Sequence, residues 1–295
     1  FDAAPEGMAL NPKETLEPEE KQDDRLKAEP FQADPPAGWG KAHQPFVMSL
    51  YEQVVQQQAE DENIFISPFS IAMALAMAYN GAEDETYSAM RDALKWNDFS
   101  EDEINAYFRT LLEGTGQAGD GVEAEIANSM WIRQGVPIRE SFIERMQTWY
   151  HAEVHELDFN EESAAERINR WVQEKTKDTI DRIVEGPLDA DTILFLINAI
   201  YFKGDWKKPF DPDETHEDTF YGVNGEYHHP FMVNRGRFLY REDKRSQMVA
   251  LPYGDGRYSM IVLLPKPGHT WHDLHGLFTP EAWEKWMEEL AVRPG

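Results

Sequence analysis

At 295 residues and 41% hydrophobic content, the chain can bury a large core, as one big domain or two smaller ones. A formal net charge of −27 opposes binding to nucleic acid or anionic lipid and favours cationic partners, or plain solubility and adaptation to salt. The absence of cysteine excludes disulfides, thiolate zinc sites and cysteine nucleophiles together, so stability must come from packing. The sequence opens at Phe1 without a charged-then-apolar leader, which fits a processed start and an extracellular or secreted protein.

Residues 1–36 hold six prolines, ten Asp/Glu and four Lys/Arg with few aliphatic residues, a composition that does not repay the entropy of ordering. They are expected to form a flexible acidic arm ahead of one domain over residues 37–295. From about Ala42, residues Val47, Leu50, Tyr51, Val54 and Val55 recur at helical spacing. Asn63–Ile71 then predicts a short strand running into a helix, with Ser67 as its cap and Pro68 at its first position, where no backbone donor is needed. Ile71–Tyr79 is apolar or small on every side, so this helix belongs inside the protein.

Two more helices are predicted around Asp84–Lys95 and Glu101–Leu112. The loop Gly114–Gly119 matches G-x-G-x-x-G, but it follows a helix and opens none, so it fails the context that dinucleotide binding requires. Ala124–Arg133 reads as a strand carrying Asn128 and Trp131, Ser141–Tyr150 as a helix, and Ala164–Lys177 as an amphipathic helix with Ile168, Trp171 and Val172 on one face.

The most apolar stretch of the chain follows, Asp191–Trp206. Its run Ile193–Phe202 has the pattern of a strand buried on both faces and is too short to span a membrane. Asn198 at its centre brings amide groups into a dry core, where leaving them unpaired costs about 1–3 kcal/mol, so partners must come from elsewhere. Beyond it, Asn224-Gly225 and Gly254-Asp-Gly256 each signal a hairpin. Helices first and short strands later predict an α+β fold with mainly antiparallel sheets. His151 with His155, and His269, His272 and His275, stand at helical spacing but lack a completing carboxylate motif, so no metal or other cofactor is expected.

Several of these segments together resemble the serpins. The resemblance is carried by Asn63-x-Phe65-x-Ser67-Pro68-x-Ser70-Ile71, by Asn198-Ala199-x-x-Phe202-Lys203-Gly204-x-Trp206 with Phe210, and by Leu251-Pro252-Tyr253 with Met260–Pro265. Asn128 with Trp131 is similar to the family's second strand of the large sheet. Ile168-Asn169-x-Trp171-Val172 with Thr176, Ile180 and Ile183 is similar to the helix that lies across that sheet. The likeness runs from about Ala42 to Leu290.

It implies a serpin-like α+β fold with a large central mixed sheet, a second antiparallel sheet and about eight helices. It also implies an inhibitor of serine or cysteine proteases, monomeric when native, that is a suicide substrate and not an enzyme. A protease cuts an exposed loop, an acyl-enzyme forms, and the loop inserts into the large sheet as a further strand. By the same resemblance Asn63, Ser67, Pro68, Ser70 and Asn198 form the region where the sheet parts, Asn198 faces Ser67 and Ser70, and Trp206 marks the top where insertion begins. On the residues alone, Ser67 reads equally as a helix cap, Asn198 as a satisfied core amide and Trp206 as a core aromatic.

Two departures stand out. Asp178 and Thr179 occupy positions where the family usually has Gly and commonly Lys, which bears on how the covering helix ends. The reactive loop and its bond, roughly the final quarter of a serpin, are expected after Gly295 and not in this chain. The segment corresponding to the family's basic polyanion-binding helix, Glu101–Arg109, is acidic at its front, so no heparin-like activator is expected. A non-inhibitory serpin acting as a binding or chaperone-like protein, or an inactive fragment, is the competing reading. Small residues in the loop hinge mark an inhibitor, bulky or charged ones a binder.

Overall fold

A computed structural model describes residues 39–294 apart from 60–61, 116–118 and 223; the acidic stretch 1–36 and most of the glycine-rich loop after Thr115 lie outside the described residues. Helices dominate the first half: α1 (Trp39–Gln57), α2 (Pro68–Tyr79), α3 (Asp84–Ala93) and α4 (Glu101–Thr115). Next come β1 (Val122–Arg133), α5 (Glu140–Tyr150), β2 (Glu153–Leu157), α6 (Ser163–Lys175) and β3 (Leu194–Gly204). The second half is built of β4 (His216–Gly222), β5 (Gly225–Phe231), β6 (Arg237–Glu242), β7 (Ser246–Tyr253), β8 (Tyr258–Pro265), α7 (Trp271–His275), α8 (Pro280–Glu289) and β9 (Ala291–Pro294). The class is α+β, with eight α-helices among the described residues, as expected.

The sheet that organises the molecule is mixed and, among the described residues, three-stranded, in the order β2-β1-β3. β1 runs parallel to β2 and antiparallel to β3, with Asn128 opposite Asn198. Strand alternation then sorts the side chains. Even-numbered residues such as Met130, Leu196 and Asn198 face α2, where Met73, Met77, Trp96, Phe108 and Tyr150 form the larger core. Odd-numbered residues such as Trp131, Ile197 and Ala199 face α6, where Ile168, Trp171 and Val172 close a smaller core. A four-stranded antiparallel sheet, β8-β7-β6-β9, and the two-stranded β4-β5 complete the fold.

Two sequence expectations need correction. β3 packs against α2 on one face and α6 on the other, but it is less buried than expected: it lies at the edge of its sheet among the described residues, most of it is half-buried, and Ile193 and Phe202 are exposed. Asn63–Ser67 belongs to no strand, and Phe65 is fully exposed. The run has β-propensity, but a ladder also needs a partner. The hairpin that Asn224-Gly225 signals is present, with β4 and β5 paired from Gly222 opposite Gly225 outward.

In α1, His43 is buried beside Phe46 and Tyr107, and neither ring nitrogen has a hydrogen-bond partner among the described residues. Desolvation lowers its pKa from 6.5 to about 4. Between those values the unfolded chain takes up a proton that the fold refuses, so stability is highest above the unfolded pKa and falls as pH drops through the window. The expected loss from this one group is roughly 3 kcal/mol. Urea unfolding from pH 7 to pH 4 should show it, and His43→Leu should flatten that part of the profile.

Candidate functional site

The N-terminal turn of α2 is where helix and sheet meet. Ser67 stands just before the helix in extended conformation and its hydroxyl accepts the Ser70 amide at 3.2 Å, while Pro68 takes the first helical position. That bond holds Ser70 one turn in, facing the sheet, where its hydroxyl donates to Asn198 Oδ1. Asn198 Nδ2 donates across the strand pair to Asn128 Oδ1 at 2.8 Å and lies 3.2 Å from Met73 Sδ. Asn128 Nδ2 in turn donates to the Tyr150 carbonyl at 2.7 Å. The partners required by the Asn198 amide are therefore Ser70, Asn128 and Met73. Ser67 does not touch it, and the expected Asn198–Ser67 contact is corrected to Ser70 alone. Asn63 is exposed ahead of α2 and takes no part in this seam.

The seam continues where no sequence signal pointed. Tyr150, at the last residue of α5, donates its hydroxyl to Asn105 Oδ1 at 2.6 Å, and Asn105 and Asn80 exchange side-chain hydrogen bonds at 2.8 and 2.9 Å. Asn80 is the C-cap of α2. Burial pushes the Tyr150 phenol far above its ordinary pKa, so it stays a neutral donor. Asn80 and Asn105 are buried, Asn80 at the C-cap of α2 and Asn105 inside α4; an asparagine closing an apolar helix is a cue for Asn80 alone.

On the opposite face, α6 covers the sheet. Trp131 meets Trp171 edge-on at 6.4 Å and His155 stacks on Trp131 at 4.2 Å. Trp171 Nε1 donates to Glu153 on β2 at 2.9 Å, and Lys175 pairs with the same carboxylate at 2.6 Å. Thr176, buried, accepts the Ile180 amide, and Asn169 accepts the Ile183 and Val184 amides while donating to the Val184 carbonyl at 2.8 Å. These two family-signature residues thus tie down the connection that leaves the helix. The departure at Asp178 does not change how the helix ends. The Asp178 amide bonds to the Gln173 carbonyl and the Lys177 amide to Glu174, a Schellman arrangement with Lys177 at φ 50° and Asp178 at φ 62° in the left-handed region.

At the far end of β3, Trp206 bridges to Tyr253 and stacks on its ring at 4.5 Å, with Phe210 edge-on at 5.6 Å and Phe202 edge-on to Tyr253 at 5.3 Å. A Cβ on Gly204 would stand 2.7 Å from the Tyr253 ring, so glycine is required for this approach. The Lys207 amide reaches the Pro252 carbonyl at 2.9 Å, which fastens the chain after β3 to Leu251-Pro252-Tyr253 in β7. Lys203, exposed on β3, stands opposite Glu123. Asn128, Asn198 and Ser70 are therefore brought together, whereas Trp206, Phe210 and Tyr253 form a separate cluster at the end of β3. Among the described residues no group of three or more His, Asp or Glu side chains converges on a metal-sized site.

Comparison with known proteins places these features. The family model of the serpins (serine protease inhibitors) matches residues 41–294. Mouse antithrombin-III is 32% identical over 260 residues, covering 85% of this chain and 56% of its own length. An uncharacterized serpin-like protein of Thermococcus kodakarensis is 35% identical, covering 76% of this chain and 52% of its own length. Reactive-loop-cleaved human thyroxine binding globulin superposes with a TM-score of 0.81 at 26% identity, over 87% of this chain and 77% of that one. The chain thus spans a little over half the length of these two sequence relatives.

Asn198→Ala and Asn128→Ala each strand buried partners and should cost about 1–3 kcal/mol. Ser67→Ala removes only a cap and should cost about 1 kcal/mol. Denaturant unfolding of the three variants separates them. A Ser67 loss as large as that of Asn198 would mean the hydroxyl reaches the sheet after all.

Proposed function

The chain belongs to the serpin family, and on that premise we propose that it serves as the body of a serine-type endopeptidase inhibitor acting as a suicide substrate. The protease's nucleophile attacks the scissile carbonyl of an exposed loop, the amine side of the cut bond departs, and the acyl-enzyme is carried off as the loop enters the sheet beside β3. The partner on this reading is a serine protease, or a cysteine protease, met by a monomeric inhibitor. A heparin-like activator is not part of the proposal, because Glu101, Asp102 and Glu103 form the front of α4 and Arg109 is paired with Glu113.

The observation that carries the reading is the Ser70–Asn198–Asn128 seam between α2 and the β1–β3 pair. A sheet that must open and close is better latched by hydrogen bonds, which can exchange partners, than by interlocked hydrocarbon. The relationship to antithrombin-III supports it further. A second reading, a non-inhibitory serpin that binds and carries a ligand or partner, is favoured by the likeness to thyroxine binding globulin.

Mixing the full-length protein with trypsin, chymotrypsin, elastase and subtilisin decides between them. An inhibitor should give a detergent-stable complex on a gel, and its cleaved form should melt at a higher temperature than the intact one. Simple cleavage with no complex would favour the binding protein.

A further inference from the structure

Lys177 sits at an unusual place for a lysine. It is the first residue beyond the cap of α6, in the left-handed conformation that glycine normally supplies, which costs a side-chain-bearing residue roughly 1 kcal/mol or more. Something must offset that cost. Its ammonium is clasped by Glu123 and by Glu125 at 2.7 Å, both on β1, and stands 4.8 Å from the centre of the Tyr201 ring on β3. Glu125 and Tyr201 are directly opposite each other in the β1–β3 pair, so the one ammonium bridges both strands from above. The hydrogen bonds it donates to Glu123 and Glu125 raise its pKa to about 12, which keeps it charged at any physiological pH.

We propose that Lys177 is a positioning residue that clasps the C-terminal end of α6 to the β1–β3 pair and makes the release of α6 from the sheet dependent on ionic strength. The inference deepens the inhibitor reading and rests on it in one respect: a loop entering beside β3 requires the helix lying across the sheet to give way. The physical basis is the character of the contacts. Lys177, Glu123 and Glu125 are all partly open to solvent, as are Lys175 and Glu153 at the neighbouring anchor on β2. Ion pairs of this kind are screened as the Debye length shrinks from about 10 Å at 0.1 M salt to about 3 Å at 1 M. The Trp131–Trp171 contact and the Asn169 strap carry no net charge and do not respond in this way.

Hydrogen exchange of the α6 amides reads the clasp with no protease present. Raising NaCl from 0.1 M to 1 M should speed exchange of the last turns of α6 in the wild type by about fivefold, the factor that goes with a surface network of this size. Lys177→Met keeps the apolar stem but loses the charge; it should exchange fast at low salt and lose most of the salt response, leaving only the part due to Lys175 and Glu153, and Lys177→Arg should restore both. Lys177→Gly relieves the left-handed backbone, so faster α6 exchange without loss of global stability would separate release of the helix from a general weakening of the fold. Wild-type exchange that ignores salt, or Lys177→Met that exchanges like wild type, overturns the clasp. An intact salt response in a full-length protein that forms no protease complex upholds the clasp and overturns the inhibitor reading alone.

Discussion

The structure depends on one amide. Asn198 projects from β3 toward α2, accepts from Ser70 and donates to Asn128, and a run of buried polar groups on that face continues from this exchange. From Asn128 the hydrogen bonds pass to the end of α5 at Tyr150, from there to Asn105 on α4, and finally to Asn80 at the C-cap of α2. A chain of contacts that leaves α2 at its first turn therefore returns to it at its last. Each member would cost about 1–3 kcal/mol if left unpaired, and the circuit leaves its members paired. Met73, a weak acceptor within 3.4 Å of both amide donors, fills the space inside it without competing for the stronger bonds.

Such a circuit explains how an almost wholly apolar helix is held in one register. Ala72, Ala76 and Met77 bring no directional side-chain contacts of their own, Met73 offers only a weak sulfur acceptor, and methionines fill gaps without specifying a unique fit. Direction comes from the two ends: Ser67 orders the first turn and presents Ser70 to the sheet, and Asn80 closes the last turn against Asn105 and Tyr150. Packing supplies the energy, and the polar groups supply the position.

Much of this was legible in the sequence, and the failures have physical causes. Ser67-Pro68 announced the helix start, because capping is local chemistry, and an asparagine inside an apolar run announced that partners were needed. Which serine would answer was not legible: a cap occupies its hydroxyl with its own helix, and the residue three positions on is the one turned toward the sheet. β2 escaped notice because Glu153–Leu157 is short, mixes charged with apolar residues, and owes its pairing to β1. The exposure of β3 and the lack of a ladder at Asn63–Ser67 are facts about neighbours, which composition does not encode. At Lys177 the sequence lacked glycine and so hid a left-handed helix end that tertiary contacts stabilise.

The two faces of the sheet are held by different physics. Toward α2 the contacts are neutral and buried or partly buried, so they respond little to ionic strength and can yield by exchanging one hydrogen-bond partner for another. Toward α6 a modest apolar core is ringed by ion pairs open to water, at Glu153 on β2 and at Glu123 and Glu125 on β1. In a chain with a formal charge of −27, those carboxylates repel one another unless a cation lies between them, and Lys175 and Lys177 supply it from the end of the covering helix. The covering helix α6 is thereby fastened by interactions that solvent readily loosens. α2 is fastened by neutral contacts that are buried or partly buried.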